Sequence, residues 1–232
     1  MKILGVDTSS SVCAVGIFEN EKLLRENVLD NGRTHSENLM PLIEKTLNDA
    51  DLNLDDIDCI AVVVGPGSFT GIRIGVASCK AMAEFKNIKI IPIISLESLA
   101  ANEYGRHGII CSMIDAKNDQ IFCGVFDENL KKVEEYMADD INSVLEKLTK
   151  YDNIIFVGNG VNVHKESINN FLKEKNIAFS DNNAQNAKSL GIIANKKVLK
   201  CEFVSADELI PVYLRKSQAE RMRDEKQNSK NV

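Results

Sequence analysis

Asp7-Thr8-Ser9-Ser10-Ser11-Val12-Cys13-Ala14-Val15-Gly16-Ile17-Phe18-Glu19-Asn20 returns in outline as Asp115-Ala116-Lys117-Asn118-Asp119-Gln120-Ile121-Phe122-Cys123-Gly124-Val125-Phe126-Asp127-Glu128. In both stretches a glycine follows the aspartate by nine residues, a phenylalanine by eleven and an acidic residue by twelve. Each aspartate ends a mostly apolar run, Ile3 to Val6 and Ile109 to Ile114, and leads through a polar turn into a second strand. Further on, Ala61-Val62-Val63-Val64-Gly65-Pro66-Gly67 is echoed by Ile154-Ile155-Phe156-Val157-Gly158-Asn159-Gly160, each an apolar run ending in Gly-x-Gly. Coincidences kept in the same order argue for an internal duplication.

The first copy spells out the plan. Ile3 to Val6, Val12 to Phe18 and Lys22 to Val28 read as three strands, with Asn20-Glu21 as a turn. Asn31-Gly32-Arg33 breaks the pattern, and Leu39, Leu42, Ile43 and Leu47 then follow helical spacing. Thr34 with Glu37 fits a capping box. Ser36 is the other N-cap candidate and suits Pro41 better, because a proline deep inside a helix kinks it. Cys59 to Val64 is a strand buried on both faces. A helix from Gly71 to Phe85, a strand from Ile88 to Ile94 and a short helix from Ser95 complete the set. Laid out twice, this predicts an α/β protein of two duplicated lobes, each a mixed sheet flanked by helices. The lobes are expected over 1–104 and 105–215, followed by a polar, basic and flexible tail over 216–232. Both aspartate turns and both Gly-x-Gly turns would face the cleft between the lobes, where ligands of α/β proteins tend to sit.

With 232 residues, 44% of them hydrophobic and 27% charged, the chain has an ordinary globular composition, which excludes wholesale disorder and a disulfide scaffold. No apolar run reaches the roughly 18 residues that span a bilayer. Met1 to Asp7 turns polar too soon for a signal peptide, so a cytoplasmic protein without membrane contact is expected. A formal charge of −6 makes a poor solitary ligand of nucleic acid. The stretch from Arg215 to Val232 is different, with six basic residues against three acidic ones. Having no aromatic residue to stack on a base, it reads as a solvated, partly helical tail. The six cysteines stand at least twelve residues apart and mostly in apolar runs, as small reduced hydrophobes rather than metal ligands. His35, His107 and His164 are too far apart for a helical metal pair.

Gly65-Pro66-Gly67-Ser68-Phe69-Thr70-Gly71-Ile72-Arg73 is the strongest local signal, a buried strand feeding a glycine-rich loop that opens a helix. Its glycine spacing matches neither the dinucleotide fingerprint nor a P-loop. Phosphate contact and tight-turn packing are both open readings, with Asp7, Ser68, Thr70 and Asp115 as the nucleotide or phosphate candidates. Either aspartate could instead simply close its turn through neighbouring N–H groups. Ser9, Ser10 and Ser11 have no partnered histidine, so a nucleophilic triad is unsupported. Gly71, Gly75, Ala77, Ala81 and Ala83 form a small-residue face that another helix can approach closely.

Ile3-Leu4-Gly5-Val6-Asp7-Thr8-Ser9, His35-Ser36-Glu37-Asn38-Leu39-Met40-Pro41, the loop from Gly65 to Arg73 and Pro211-Val212-Tyr213-Leu214-Arg215 together resemble the TsaB (YeaZ) family over residues 1–216. The resemblance implies a two-lobed fold of the actin-like ATPase superfamily (ASKHA, ribonuclease-H-like). It also implies a non-catalytic subunit that binds and supports TsaD, with TsaE, in threonylcarbamoylation of the adenosine beside the anticodon of tRNAs reading A-starting codons. Such a subunit would have no cofactor of its own, ATP being used by the complex, would pair with itself when alone, and would reach tRNA only through the complex. The catalytic paralogue holds a metal with two histidines four apart; the matching positions here are Ser95 and Leu99, neither able to do so. On the helices from His35 and Gly71, the resemblance and the small-residue face point to His35, Leu39, Leu42 and Gly71 as partner-interface residues. Arg73, Gly75, Ala77 and Cys79 complete that set. The alternative is a nucleotide-binding phosphotransferase or hydrolase of the same superfamily using Asp7 and Asp115; a peptidase reading ranks last.

Overall fold

The computed structural model describes residues 1–32, 34–117 and 119–215; the tail expected over 216–232 lies outside them. The first half forms β1 (Lys2–Asp7), β2 (Cys13–Glu19), β3 (Lys22–Leu29), α1 (His35–Asn48), β4 (Cys59–Gly65), α2 (Phe69–Lys86), β5 (Lys89–Ile94) and α3 (Ser95–Ala100). The second half forms β6 (Ile109–Asp115), β7 (Gln120–Phe126), β8 (Met137–Asp140), α4 (Ile141–Leu148), β9 (Asn153–Val157), α5 (Asn159–Phe171), β10 (Asn176–Phe179) and α6 (Ala187–Leu199). The sheet orders are β3-β2-β1-β4-β5 and β8-β7-β6-β9-β10. In both, the first three strands pair antiparallel and the last two add parallel, so the halves share one topology.

The inner strands of each sheet are buried on both faces, and their side chains alternate between two cores as the pleat requires. In the first sheet Leu4, Val6, Val15, Ile17, Ile60 and Val62 pack with α1 and α2. Ile3, Phe18, Ala61 and Val63 point the other way, onto Ala187, Leu190, Ile193 and Ala194 of α6. In the second sheet Cys111, Met113, Ile121, Cys123 and Val125 pack with α4 and α5, whereas Ile110, Ile114 and Phe126 meet Leu96, Leu99 and Ala100 of α3. The last helix of each half has thus crossed to the sheet of the other half.

The repeated Gly-x-Phe explains how the crossing helices fit. Gly5 and Gly16 are cross-strand partners. A Cβ on Gly16 would fall on the Ala187 methyl, and one on Gly5 would fall on the Leu190 side chain, so α6 lies close against β1 and β2 only because both side chains are missing. In the second sheet the corresponding pair is Ser112 and Gly124. A Cβ on Gly124 would come 3.1 Å from Leu96 Cβ and 2.8 Å from the Phe126 ring, so α3 occupies the equivalent seat.

Polar contacts fix the same junction. Glu26 of β3 accepts from the Ala187 N–H at the start of α6 (2.7 Å), where a carboxylate also meets the positive end of the helix dipole. Near the other end of α6, Lys197 pairs with Glu97 of α3 at 3.0 Å and donates to the Pro92 carbonyl at 3.1 Å. Beyond α6 the chain stays on the first lobe: Val204 and Ile90 exchange backbone hydrogen bonds, and the Val212 N–H donates to the Val64 carbonyl at 2.8 Å.

One helix start differs from the sequence preference. α1 begins after Thr34 rather than Ser36, with Pro41 inside it. The capping box prevails: the Thr34 N–H and hydroxyl both donate to Glu37 Oε2, at 3.2 and 2.8 Å. Among the described residues no helix is long and apolar enough to cross a membrane.

Gly124→Val should leave the sheet topology possible but overfill the seat of α3, costing about 1–3 kcal/mol. Urea unfolding monitored by circular dichroism checks this; a variant as stable as the parent would mean that α3 does not depend on the missing side chain.

Candidate functional site

A cleft of about 1420 Å³ lies between the lobes. The β1–β2 turn (Ser9–Ser11) and the loop from Pro66 into α2 form one wall, with His35 beside them. The Asp115–Lys117 turn, the start of α5 and Asn182–Gln185 form the other, and Val212–Arg215 completes the rim.

On the first wall, Asp7 does not reach the cleft. Its side chain is 1% exposed, and Oδ1 accepts from both the N–H and the hydroxyl of Ser9, at 2.8 and 2.7 Å. Oδ2 is buried without a partner. Burial, the largest influence, lifts this carboxyl above the usual carboxylate range, while the Ser9 hydrogen bonds and His35 pull the other way. Asp7 is therefore in place to close its turn. Its neighbour Thr8 donates from its hydroxyl to the Gly71 carbonyl at 2.7 Å, tying the turn to α2. The His35 Nε2 lies 2.8 Å from the Ser10 carbonyl and must donate to it, since a carbonyl only accepts.

The glycine loop is spent on this packing. The Ser68 N–H donates to the Ser9 carbonyl at 2.7 Å, and the Gly71 N–H donates to the Ser68 side chain at 3.2 Å. Gly67 has φ +153, and a Cβ there would strike the Ser9 carbonyl; only glycine takes that backbone easily. A Cβ on Gly71 would fall between the Thr8 carbonyl and the His35 ring, and one on Gly75 would fall on the Thr8 hydroxyl. Of the two readings of this loop, the geometry supplies direct reasons for tight packing. Ser68 and Thr70 are exposed and line the cleft.

The second wall copies the first and then departs from it. Asp115 Oδ1 accepts from the Lys117 N–H at 2.9 Å, the same bond two residues on that Asp7 makes. Asp115 is half-buried and lines the cleft, and a lysine stands where the first lobe has the Ser9 hydroxyl. Asn159 at the start of α5 accepts from the Asp115 N–H at 3.1 Å, and the Gly158 N–H donates to Asn183 at 2.8 Å. Ser95 is fully buried with its hydroxyl on the Pro66 carbonyl, and Leu99 belongs to the core under α3. Among the described residues no group of three or more His, Cys, Asp or Glu could hold a metal ion.

The expected partner face needs correction at several positions. Leu39, Leu42 and Cys79 are sealed in the core of the first lobe, and Gly71 and Gly75 are buried against the β1–β2 turn, so none offers a side chain to a partner. The resemblance and the small-residue face name these positions without regard to burial, and the structure puts them on the inward faces of α1 and α2. Ala77 and Arg73 do face out, and His35 is half-buried at the cleft. The outward stripe of α2 continues through Ala81 to Phe85, which is 81% exposed. Phe85 was the end of a predicted helix rather than a site residue; its place one turn beyond Ala81 was the available signal.

The two most distinctive motifs meet at the rim. Arg73 Nε donates to the Tyr213 hydroxyl at 2.9 Å, its guanidinium lies 3.8 Å from the centre of the Phe69 ring, and the Phe69 and Tyr213 rings stand 4.8 Å apart. The sequence places Tyr213 in a motif that carries the family resemblance, but nothing local marks it as the partner of an arginine 140 residues earlier.

Comparison with known proteins agrees with this geometry. A family model described as TsaD, tRNA N6-adenosine threonylcarbamoyltransferase, matches residues 22–222. The tRNA threonylcarbamoyladenosine biosynthesis protein TsaB of Bacillus subtilis is 32% identical over 95% of this chain and 96% of its own. The structure of YeaZ from Pseudomonas aeruginosa superposes with a TM-score of 0.78 at 21% identity, covering 92% of this chain and 99% of that one. An activator of 2-hydroxyisocaproyl-CoA dehydratase from Clostridium difficile, solved with bound ADPNP, shares the fold at a TM-score of 0.54, 12% identity and coverage of 92% and 100%. The fold is the duplicated, two-lobed α/β fold that the repeats predict and the actin-like ATPase fold that the resemblance implies.

Because the folded chain holds the Asp7 proton more tightly than the unfolded chain does, this group's contribution to stability is full at low pH and declines as pH rises past the usual carboxylate range. Asp7→Asn should remove that decline. Urea titrations between about pH 4 and 7 should show the parent losing stability relative to the variant as pH rises; a flat difference would place the carboxylate in a solvated setting, and a gain by the parent as pH rises would place it in an ion pair.

Proposed function

We propose a function from one premise: the chain belongs to the TsaB family. It serves as the non-catalytic scaffold subunit of tRNA threonylcarbamoyladenosine synthesis, binding and supporting TsaD together with TsaE. The observation that carries this reading is the outward stripe of α2. Ile74 is half-buried, Ala77, Ala81 and Phe85 are exposed, and Met40 of neighbouring α1 is 48% exposed. Small residues with a large apolar one at the end let a partner helix approach closely and bury area there. The same face pairs two copies of the chain when TsaD is absent.

The non-catalytic assignment rests on the first wall of the cleft. A phosphotransferase of this fold would need Asp7 at the cleft and free N–H groups at the start of α2. Here Asp7 is sealed behind Ser9, and the Ser68 and Gly71 N–H groups are already engaged. These residues fit a bound phosphate chain poorly, so the chain holds no nucleotide of its own and ATP is used elsewhere in the complex. With a net acidic chain, contact with tRNA comes through the complex, in the cytoplasm and away from membranes.

Ala81→Arg tests the interface without touching the core, since the side chain at this position points into solvent; Gly75 is unsuitable because its substitution would strike Thr8. Co-elution with TsaD and self-association should both weaken by about 30-fold or more, at an unchanged melting temperature. If association survives in both Ala81→Arg and Ala77→Arg, the interface lies elsewhere.

A further inference from the structure

We propose that Asn102 locks the two passages of the chain between the lobes to each other and thereby holds the cleft at one width. The chain passes from the first lobe to the second after α3, at 101–108, and returns from β10 to α6, at 180–186. Asn102 lies in the first passage. Its Nδ2 donates to the Asn182 carbonyl at 2.7 Å and to the Ala184 carbonyl at 3.1 Å. Its Oδ1 accepts from Asn186 Nδ2 at 2.8 Å and from the Ser189 hydroxyl. A carboxamide offers two donor hydrogens and two lone pairs, and this one uses three of the four on the second passage and the fourth on the first turn of α6, into which that passage leads.

The gripped segment is also a wall of the cleft, which Asn182, Asn183, Ala184 and Gln185 line. From its other side the segment is held by the second lobe, where Asn183 accepts from the Gly158 N–H at 2.8 Å, while its own donation to the Ser180 carbonyl at 2.9 Å stiffens the segment from within. At its end the Asn186 side chain caps α6 by accepting from the Ser189 N–H at 2.9 Å. Hinged closure requires a few residues free to absorb changes in φ and ψ. Here the residues best placed to do so in one passage are bonded to the other, so rotation of the lobes must break the Asn102 bonds together. The Glu97–Lys197 pair between α3 and α6 ties the same junction at a second point. The inference concerns the lone chain and stands apart from the partner assignment.

Asn102→Asp is the informative variant. It keeps the shape and the accepting oxygen but turns two donations into an oxygen facing the Asn182 and Ala184 carbonyls. Spin labels at Glu44→Cys on α1 and Glu166→Cys on α5, both exposed positions, report the distance between the lobes. Cys201→Ser removes the exposed native thiol, the other five being buried. With Asn102 present, electron–electron resonance should give one narrow distance; in Asn102→Asp the distribution should show about a doubling of width. A folded Asn102→Asp protein with the narrow distribution unchanged would overturn the proposal. Should that variant not fold, hydrogen exchange on the unsubstituted chain decides: the Ser189 and Gly158 amides should exchange as slowly as those of central strand β4, and fast local exchange at either would overturn it.

Discussion

A glycine in each sheet decides whether the two halves of this protein can close over one another. Gly16 and Gly124 stand at equivalent places in the second strands of their sheets, and each leaves the space into which a helix from the other half settles. Without that space α6 and α3 would have to rise off their sheets, exposing Phe18, Ile91 and Ile93 in one lobe and Ile110, Phe126 and Val157 in the other. Each such side chain is worth about 1.5–3 kcal/mol when buried, so the loss would be large beside the 5–15 kcal/mol that stabilises an ordinary domain. The lobes are therefore topological units that depend on one another for their cores.

Duplication also supplied the same chemistry twice, and packing then separated the copies. Asp7 and Asp115 make the same bond to the N–H two residues on, yet one carboxyl is sealed and the other lines the cleft. On the sealed side the Ser9 hydroxyl, the Thr8 hydroxyl and the glycines of the 65–71 loop are all committed to holding turn against helix. A wall built this tightly commits these groups to packing and seats α2 firmly against the β1–β2 turn, with Ala77, Ala81 and Phe85 left on its exposed side. The rim stack of Phe69, Arg73 and Tyr213 adds to this by fastening the returning end of the chain to the same helix.

Much of this was legible in the sequence. The paired Asp, Gly and Phe spacings carried the duplication, and continuous apolar runs such as Cys59 to Val64 marked strands covered on both faces. What covers those faces was not legible: the apolar spacing of Ala187 to Leu199 says that α6 is buried but not against which sheet. The two aspartates were likewise indistinguishable in the sequence, where each could contact phosphate or close its own turn, and burial alone separates them. On α1 and α2 the helices were legible, but the resemblance that makes Leu39, Leu42 and Cys79 partner contacts carries no information on burial, which the sheet beneath sets. The bond from Arg73 to Tyr213 spans most of the chain, beyond the reach of any local pattern.

The most direct test of the scaffold account is reconstitution of tRNA threonylcarbamoylation from purified TsaD and TsaE with ATP, threonine, bicarbonate and the adenylate-forming enzyme, with this chain present or omitted. The account predicts product only when the chain is present, and neither product nor ATP turnover from the chain alone. Full activity without the chain, or ATP turnover by the isolated chain, would contradict it.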